Sequence, residues 1–136
     1  LRKRKIERVK VKLGRGSPKI LYQRPRSIPG VKHQYYVDWI AESLTKKGYH
    51  VKKNNDGADI EVADVAVEVE IGTSNISGNL QRDLQKFTKV IVCSDDNKLI
   101  ENLSAKMKDN QVLFLPVLKV PAAFEKMQAA KDLVNS

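Results

Sequence analysis

Two short apolar runs, "KVIVCS" at 89–94 and "VLFLPVL" at 112–118, constrain this chain more than any other feature. Neither alternates with polar residues, so each reads as a strand buried on both faces. Such a strand needs a layer packed on either side of it. The neighbouring sequence supplies helices. "NISGNLQRDLQKF" (75–87) puts Ile76, Leu80, Leu84 and Phe87 on one side of a helix. "DNKLIENLSAKMKD" (96–109) and "PAAFEKMQAAKDLV" (121–134) read as two more, the last with Pro121 near its start. Strands alternating with helices predict right-handed crossovers and parallel pairing.

The preceding stretch has a different rhythm. "VKHQYYVDWIAESLTKKG" (31–48) is a helix whose Val37, Ile40, Ala41 and Leu44 form one buried stripe, with Gly48 to stop it. Three short strand patterns follow, "YHVKK", "ADIEV" and "VAVEVEI", separated by "NNDG" and by Ala63-Asp64. Their short turns predict an antiparallel meander. The expected class is therefore α/β, a mixed central sheet flanked by helices. Upstream, "IERVKVKL" (6–13) and "KILYQ" (19–23) read as short strands among Gly and Pro breakers.

Charge divides the chain. Residues 1–32 hold 12 Lys or Arg against one acid, Glu7, a net +11. The other 104 residues carry 13 basic and 15 acidic groups, a net −2. A basic block of this kind binds polyanions, nucleic acid above all. Arg2, Lys3, Arg4, Lys5, Arg8, Lys10, Lys12 and Arg15 are its candidate DNA contacts. The expected organisation is a basic arm or linker over 1–28 and a folded domain over 29–136. The chain begins at Leu1, and a piece of a longer protein is the expectation. No apolar run approaches the roughly 20 residues of a membrane span. Cys93, the only cysteine, lies in an apolar strand and reads as a small buried residue. A cytoplasmic setting is expected. There is no P-loop, GxGxxG, CxxC pair or G-x-S-x-G elbow, and only two histidines, His33 and His50.

The chemistry concentrates in "GADIEVADVAVEVEI" (57–71). A two-residue turn at Ala63-Asp64 pairs Val62 with Val65, Glu61 with Ala66, Ile60 with Val67 and Asp59 with Glu68. Alternation then gives Asp59, Glu61, Glu68 and Glu70 one face and the aliphatic residues the other, the core. Like charges directly opposite each other destabilise a sheet. Lys52 and Lys53 on the preceding strand could offset them on a solvated face. A divalent cation is the other remedy, since hard cations prefer carboxylate and carbonyl oxygens.

Helix, three-strand meander, helix, strand is the order of the restriction-endonuclease-like, or PD-(D/E)XK, nuclease superfamily, which the chain resembles over roughly residues 30 to 116. The resemblance implies an αβββαβ core, here followed by αβα. Its motif is an Asp on the second core strand and an acid-x-Lys triplet on the third. "GADI" supplies Asp59, and "VEVEI" supplies Glu68-Val69-Glu70. By resemblance, Asp59, Glu68 and the Val69 carbonyl hold Mg²⁺ (or Mn²⁺), and Asp59, Glu68 and Glu70 are catalytic. Two positions depart: Ala58 precedes the Asp where the motif has Pro, and Glu70 replaces Lys. Glu70 is then a further ligand, a general base, or the mark of a fold that has lost cleavage. "EVEIGTSNISGN" also resembles nuclease-like domains fused to motor ATPases of mobile elements.

His33 points to the sheet side of the first helix and, with Lys52 and Gln81, is an accessory candidate. Packing and solvated-face roles compete for all three. The resemblance implies a metal-dependent DNA endonuclease. The alternative is a catalytically inactive nuclease fold that binds DNA, or an interaction module of a larger DNA-processing protein. A homodimer and further domains are left open.

Overall fold

A computed structural model describes residues 7–11, 13, 19–23, 30–53, 57–71 and 76–135. It is mixed α/β, with a five-stranded mixed sheet and, among the described residues, four α-helices. The chain opens with a hairpin of β1 (Glu7–Val11) and β2 (Lys19–Gln23). Helix α1 (Val31–Lys46) follows, then β3 (Lys52–Lys53), β4 (Ile60–Val62) and β5 (Val65–Val69). The remainder is α2 (Ile76–Lys86), β6 (Lys89–Ser94), α3 (Asn97–Lys106), β7 (Val112–Pro116), a short 3₁₀ turn and α4 (Val120–Asn135). No helix among the described residues is long and apolar enough to cross a membrane.

The sheet order is β3-β4-β5-β6-β7, antiparallel through β5 and parallel from β5 to β7. The parallel half is the half whose strands alternate with helices. The β4–β5 register is the one expected: Ile60–Val67, Glu61–Ala66, Val62–Val65. Ala63 turns the corner at φ 50, a conformation that side chains beyond Cα make unfavourable. The turn is braced by Thr88, whose backbone N–H donates to the Asp64 carbonyl (2.9 Å) and whose hydroxyl donates to the Asp64 carboxylate. Helix α1 ends as its sequence predicts, at Gly48 with φ 94.

Alternation sorts the sheet into two cores. Ile60, Val62, Val67, Val69, Ile91 and Cys93 meet α1 (Tyr36, Val37, Ile40, Leu44) and α4 (Val120, Phe124). Ala66, Val90, Val92 and Val112 meet α2 through Leu80 and α3 through Leu103. Of the two settings weighed for the acidic face, the structure does not have the solvated one. The carboxylate face of β5 is not a solvated face but the floor of the second core. All five residues of β5 are buried, and Glu68 is only 4% exposed. The cause is α2, which covers this face between two parallel strands.

The basic N-terminal segment forms the two short strands read from its sequence. On its described part it is not an extended arm. Val11 of β1 is fully buried in the first core, with Val9, Leu13 and Leu21 packed around it. Alternation drives this: Val9, Val11 and Leu13 share an inward face, leaving Arg8 and Lys10 outside. A boundary at residue 28 therefore cuts a hairpin away from the core it completes. Arg2, Lys3, Arg4, Lys5, Lys12 and Arg15 lie outside the described residues.

Candidate active site

The carboxylates gather at the C-terminal end of β5, where parallel α/β sheets commonly bind ligands. Asp59 stands one residue before β4, so the β4–β5 register sets it opposite Glu68. Its side chain does not stay there. Asp59 Oδ2 accepts the backbone N–H of Val69 (2.8 Å) and lies 3.1 Å from His33 Nε2. The first turns of α1 thus deliver His33 to the site, and the imidazole holds Asp59 from the other side of the sheet.

Glu68 points under α2. Its Oε1 accepts from Arg82 Nη2 at 3.1 Å. The same guanidinium donates from both Nε and Nη2 to Asp83 Oδ1, at 3.2 Å each. Asp83 is 1% exposed, and its other oxygen, Oδ2, has no hydrogen-bond partner. Glu70 is 2% exposed, and its backbone N–H donates to the Cys93 carbonyl (2.8 Å). On β6's far end, Asp95 accepts the Tyr36 hydroxyl (2.9 Å) and pairs with Lys32 (2.6 Å).

Burial dominates the electrostatics. It pushes Glu68 up to about 10, helped by a hydrogen bond with Asp83 and by the charges of Asp59 and Asp83, while Arg82 pulls the other way. Glu70 rises to about 7, from burial first and the charge of Asp59 second, against the opposing pull of His33. The hydrogen bond to Asp59 raises His33 in spite of its burial. Cys93 is fully buried and its thiol is pushed well up, as a packing residue should be and a nucleophile should not.

The charge count follows. Asp59, Glu68, Glu70 and Asp83 are four carboxyl groups facing one guanidinium and one imidazole. With all four ionised and His33 protonated, two negative charges remain uncompensated. Protons on Glu68 and Glu70 remove that excess, and so would one divalent cation. Among the described residues no three His, Cys, Asp or Glu side chains already stand as a ligating group. Asp59 and Glu68 instead spend oxygens on Val69, His33 and Arg82. The donor chemistry fits a hard cation, which would take over contacts that Arg82 and His33 now make.

Of the other candidates, Val69 is in place and engaged with Asp59 through its N–H. Lys52 is exposed on β3 opposite Glu61, on the far side of β4 from Glu68. Lys53 pairs with Asp38 (3.1 Å) rather than with the cluster. Gln81 is exposed on α2. Its neighbours Arg82 and Asp83, which sequence reasoning missed, are the ones that reach Glu68. Asp83 had a signal. It falls at the i+3 position of the stripe Leu80–Leu84–Phe87, a charge in a row of core positions. Arg82 had none.

Two further surfaces bear on binding. Arg8 pairs across the hairpin with Tyr22, and Lys10 with Ile20. All four are exposed, Tyr22 at 62% and Ile20 at 45%, so the outer face of the hairpin is basic and aromatic. A cavity of about 300 Å³ lies beside the β4–β5 turn, lined by Tyr49, Val62, Val65, Phe124 and Met127 among others. It opens at the N-terminal ends of β5 and β6, away from the carboxylates. No family model, curated protein or solved structure matches the chain.

Proposed function

We propose that this domain is a divalent-cation-dependent DNA endonuclease of the restriction-endonuclease-like PD-(D/E)XK type. The observation that carries the reading is the buried cluster at the end of β5, where Asp59, Glu68, Glu70 and Asp83 together bring two charges more than Arg82 and His33 can balance. The order α1, β3–β4–β5, α2, β6 supports the resemblance read from the motif. The basic and aromatic outer face of the β1–β2 hairpin supports DNA as the substrate, by phosphate contact and base stacking.

Asp59 and Glu68, with the Val69 carbonyl, would hold Mg²⁺ or Mn²⁺. The chemistry such a cation supplies when bound is polarisation of a phosphodiester and acidification of water. Glu70 is the proton acceptor. Its carboxyl changes state near pH 7, where a general base is most effective. His33 fixes Asp59 through Nε2 and, when protonated, lowers the cost of ionising Glu70. The helices over both faces keep the remaining carboxylate surface from water.

One observation favours a second reading, a silent domain that holds DNA. Arg82 already occupies Glu68 Oε1, at 3.1 Å, where a metal would bind. Cleavage assays with Mg²⁺, Mn²⁺ or EDTA, on single-stranded, duplex and branched DNA, separate the two. The nuclease reading expects metal-dependent nicking that Asp59→Asn abolishes. Wild-type protein that cleaves nothing with either metal, yet binds DNA more tightly as Glu70→Gln, establishes the silent module instead.

A further inference from the structure

The acid-x-Glu triplet leaves this site without an ammonium at its third position, and the fold brings a different cation to it. Arg82 is anchored along one edge. Nε and Nη2 together make three hydrogen bonds to Glu68 Oε1 and Asp83 Oδ1, at 3.1–3.2 Å. Both acceptors belong to carboxyl groups almost wholly removed from water, at 6% and 1% side-chain exposure. The Arg82 side chain, by contrast, is 37% exposed. Nη1 takes no part in the three bonds. Guanidinium is planar, so fixing one edge fixes the direction of the other. Its position is therefore settled by the protein before any ligand arrives.

A charged side chain held this firmly has two explanations. The first is compensation of buried Glu68 and Asp83. It accounts for the bonds, but a salt bridge of this kind is rarely a net source of stability, because desolvation offsets the attraction. The second is that Asp83 exists to aim Arg82. Asp83 occupies a core position on α2 that Leu would fill at no electrostatic cost, between Leu80 and Leu84. We propose that Arg82 contacts the phosphate of the DNA substrate at this site, and that Asp83 is its positioning residue. The inference rests on the nuclease reading for its catalytic part only. A planar fork suits phosphate oxygens, and a donor pre-aimed at charge that develops in the transition state needs no reorganisation.

The test uses the whole chain and a fluorescein-labelled duplex oligonucleotide. DNA affinity is measured between 50 and 200 mM salt in EDTA and in Mn²⁺, and kcat/KM in Mn²⁺. Arg82→Gln is expected to reduce the slope of log K against log salt by about one, the signature of a single lost phosphate contact. It is also expected to lower kcat/KM about a hundredfold, as loss of one transition-state donor does. Asp83→Asn keeps Arg82 but loosens it, so kcat falls while the salt slope stays. If Arg82→Gln does not fold, Arg82→Met combined with Asp83→Leu replaces the buried pair by apolar side chains, a replacement proteins tolerate. An Arg82 variant that folds with an unchanged slope overturns the proposal, and so does a wild type that binds no duplex in either condition. If the wild type binds but does not cleave, the nuclease reading fails, and the salt slope alone decides Arg82.

Discussion

Replacing Glu70 by Gln should stabilise this protein, and by an amount that grows with pH. Glu70 is buried beside Asp59, and its carboxyl titrates near 7 instead of 4.5. The folded state therefore holds a proton that the unfolded chain has released. A group that binds protons more tightly when folded contributes its full stability below the unfolded value and loses it as pH rises through the folded one. At 1.36 kcal/mol per unit, the difference of roughly 2.5 units costs about 3 kcal/mol once both states are ionised. At pH 5 the cost is only about 1 kcal/mol, since most of the native carboxyl is still neutral and the unfolded group has only begun to gain. Gln does not titrate. Urea unfolding in EDTA at pH 5, 6, 7 and 8 should show the advantage of Glu70→Gln rising from about 1 to about 3 kcal/mol and levelling off near pH 8. An advantage constant across that range would refute the account, because it would mean that Glu70 is already ionised in the folded state at pH 5. A disadvantage at every pH would mean that the amide cannot sit beside His33.

Asp59→Asn should lower the titration points of Glu68 and Glu70, since the Asp59 charge raises both, and ¹³C chemical shifts of the Glu side chains would read it. Adding Mn²⁺ to wild type should raise its melting temperature more at pH 8 than at pH 5, because the proton that the cation must displace from Glu68 is held more firmly at the lower pH and Glu70 is neutral there. At a hundred times Kd the stabilisation is about 2.7 kcal/mol, and Asp59→Asn should remove it. Arg8→Ala combined with Lys10→Ala should flatten the salt dependence of DNA binding by up to about two phosphate contacts. An unchanged slope would move the binding face off the hairpin. Ala63→Gly should add up to about 1 kcal/mol in urea unfolding, because the turn holds a side chain at φ 50.

Much of the fold was legible because its signals were local. "KVIVCS" is β6 residue for residue, and "KILYQ" is β2. The Val37–Ile40–Ala41–Leu44 stripe is the buried face of α1. The meander register followed from turn length and alternation, which need no knowledge of the rest of the chain. What was not legible was which surface a pattern meets. β5 alternates apolar and acidic residues, the usual mark of one wet face. Whether that face is wet depends on α2, placed by the parallel crossover from β5 to β6 and not by anything within β5. The hairpin shows the same divide, its strands legible and their packing partner not. Its basic charge is real, yet charge says where half of its side chains point and nothing about Val9, Val11 and Leu21 behind them.

The candidate site shows the same divide at the level of single groups. Asp59 and Glu68 were found as a facing pair, since register alone brings them together. His33 was found by the parity of α1. Arg82 and Asp83 belong to a different logic. Their relation to Glu68 is set by how α2 lies on the sheet, a tertiary fact, and only the misfit of Asp83 in an apolar stripe announced it. A buried acid in a core position is unfavourable unless something it holds compensates for it. Here it holds Arg82, and Arg82 reaches the one carboxylate that the motif makes central. The charge that the triplet lacks at Glu70 is thus present two turns along the following helix, on a side chain whose direction Asp83 determines.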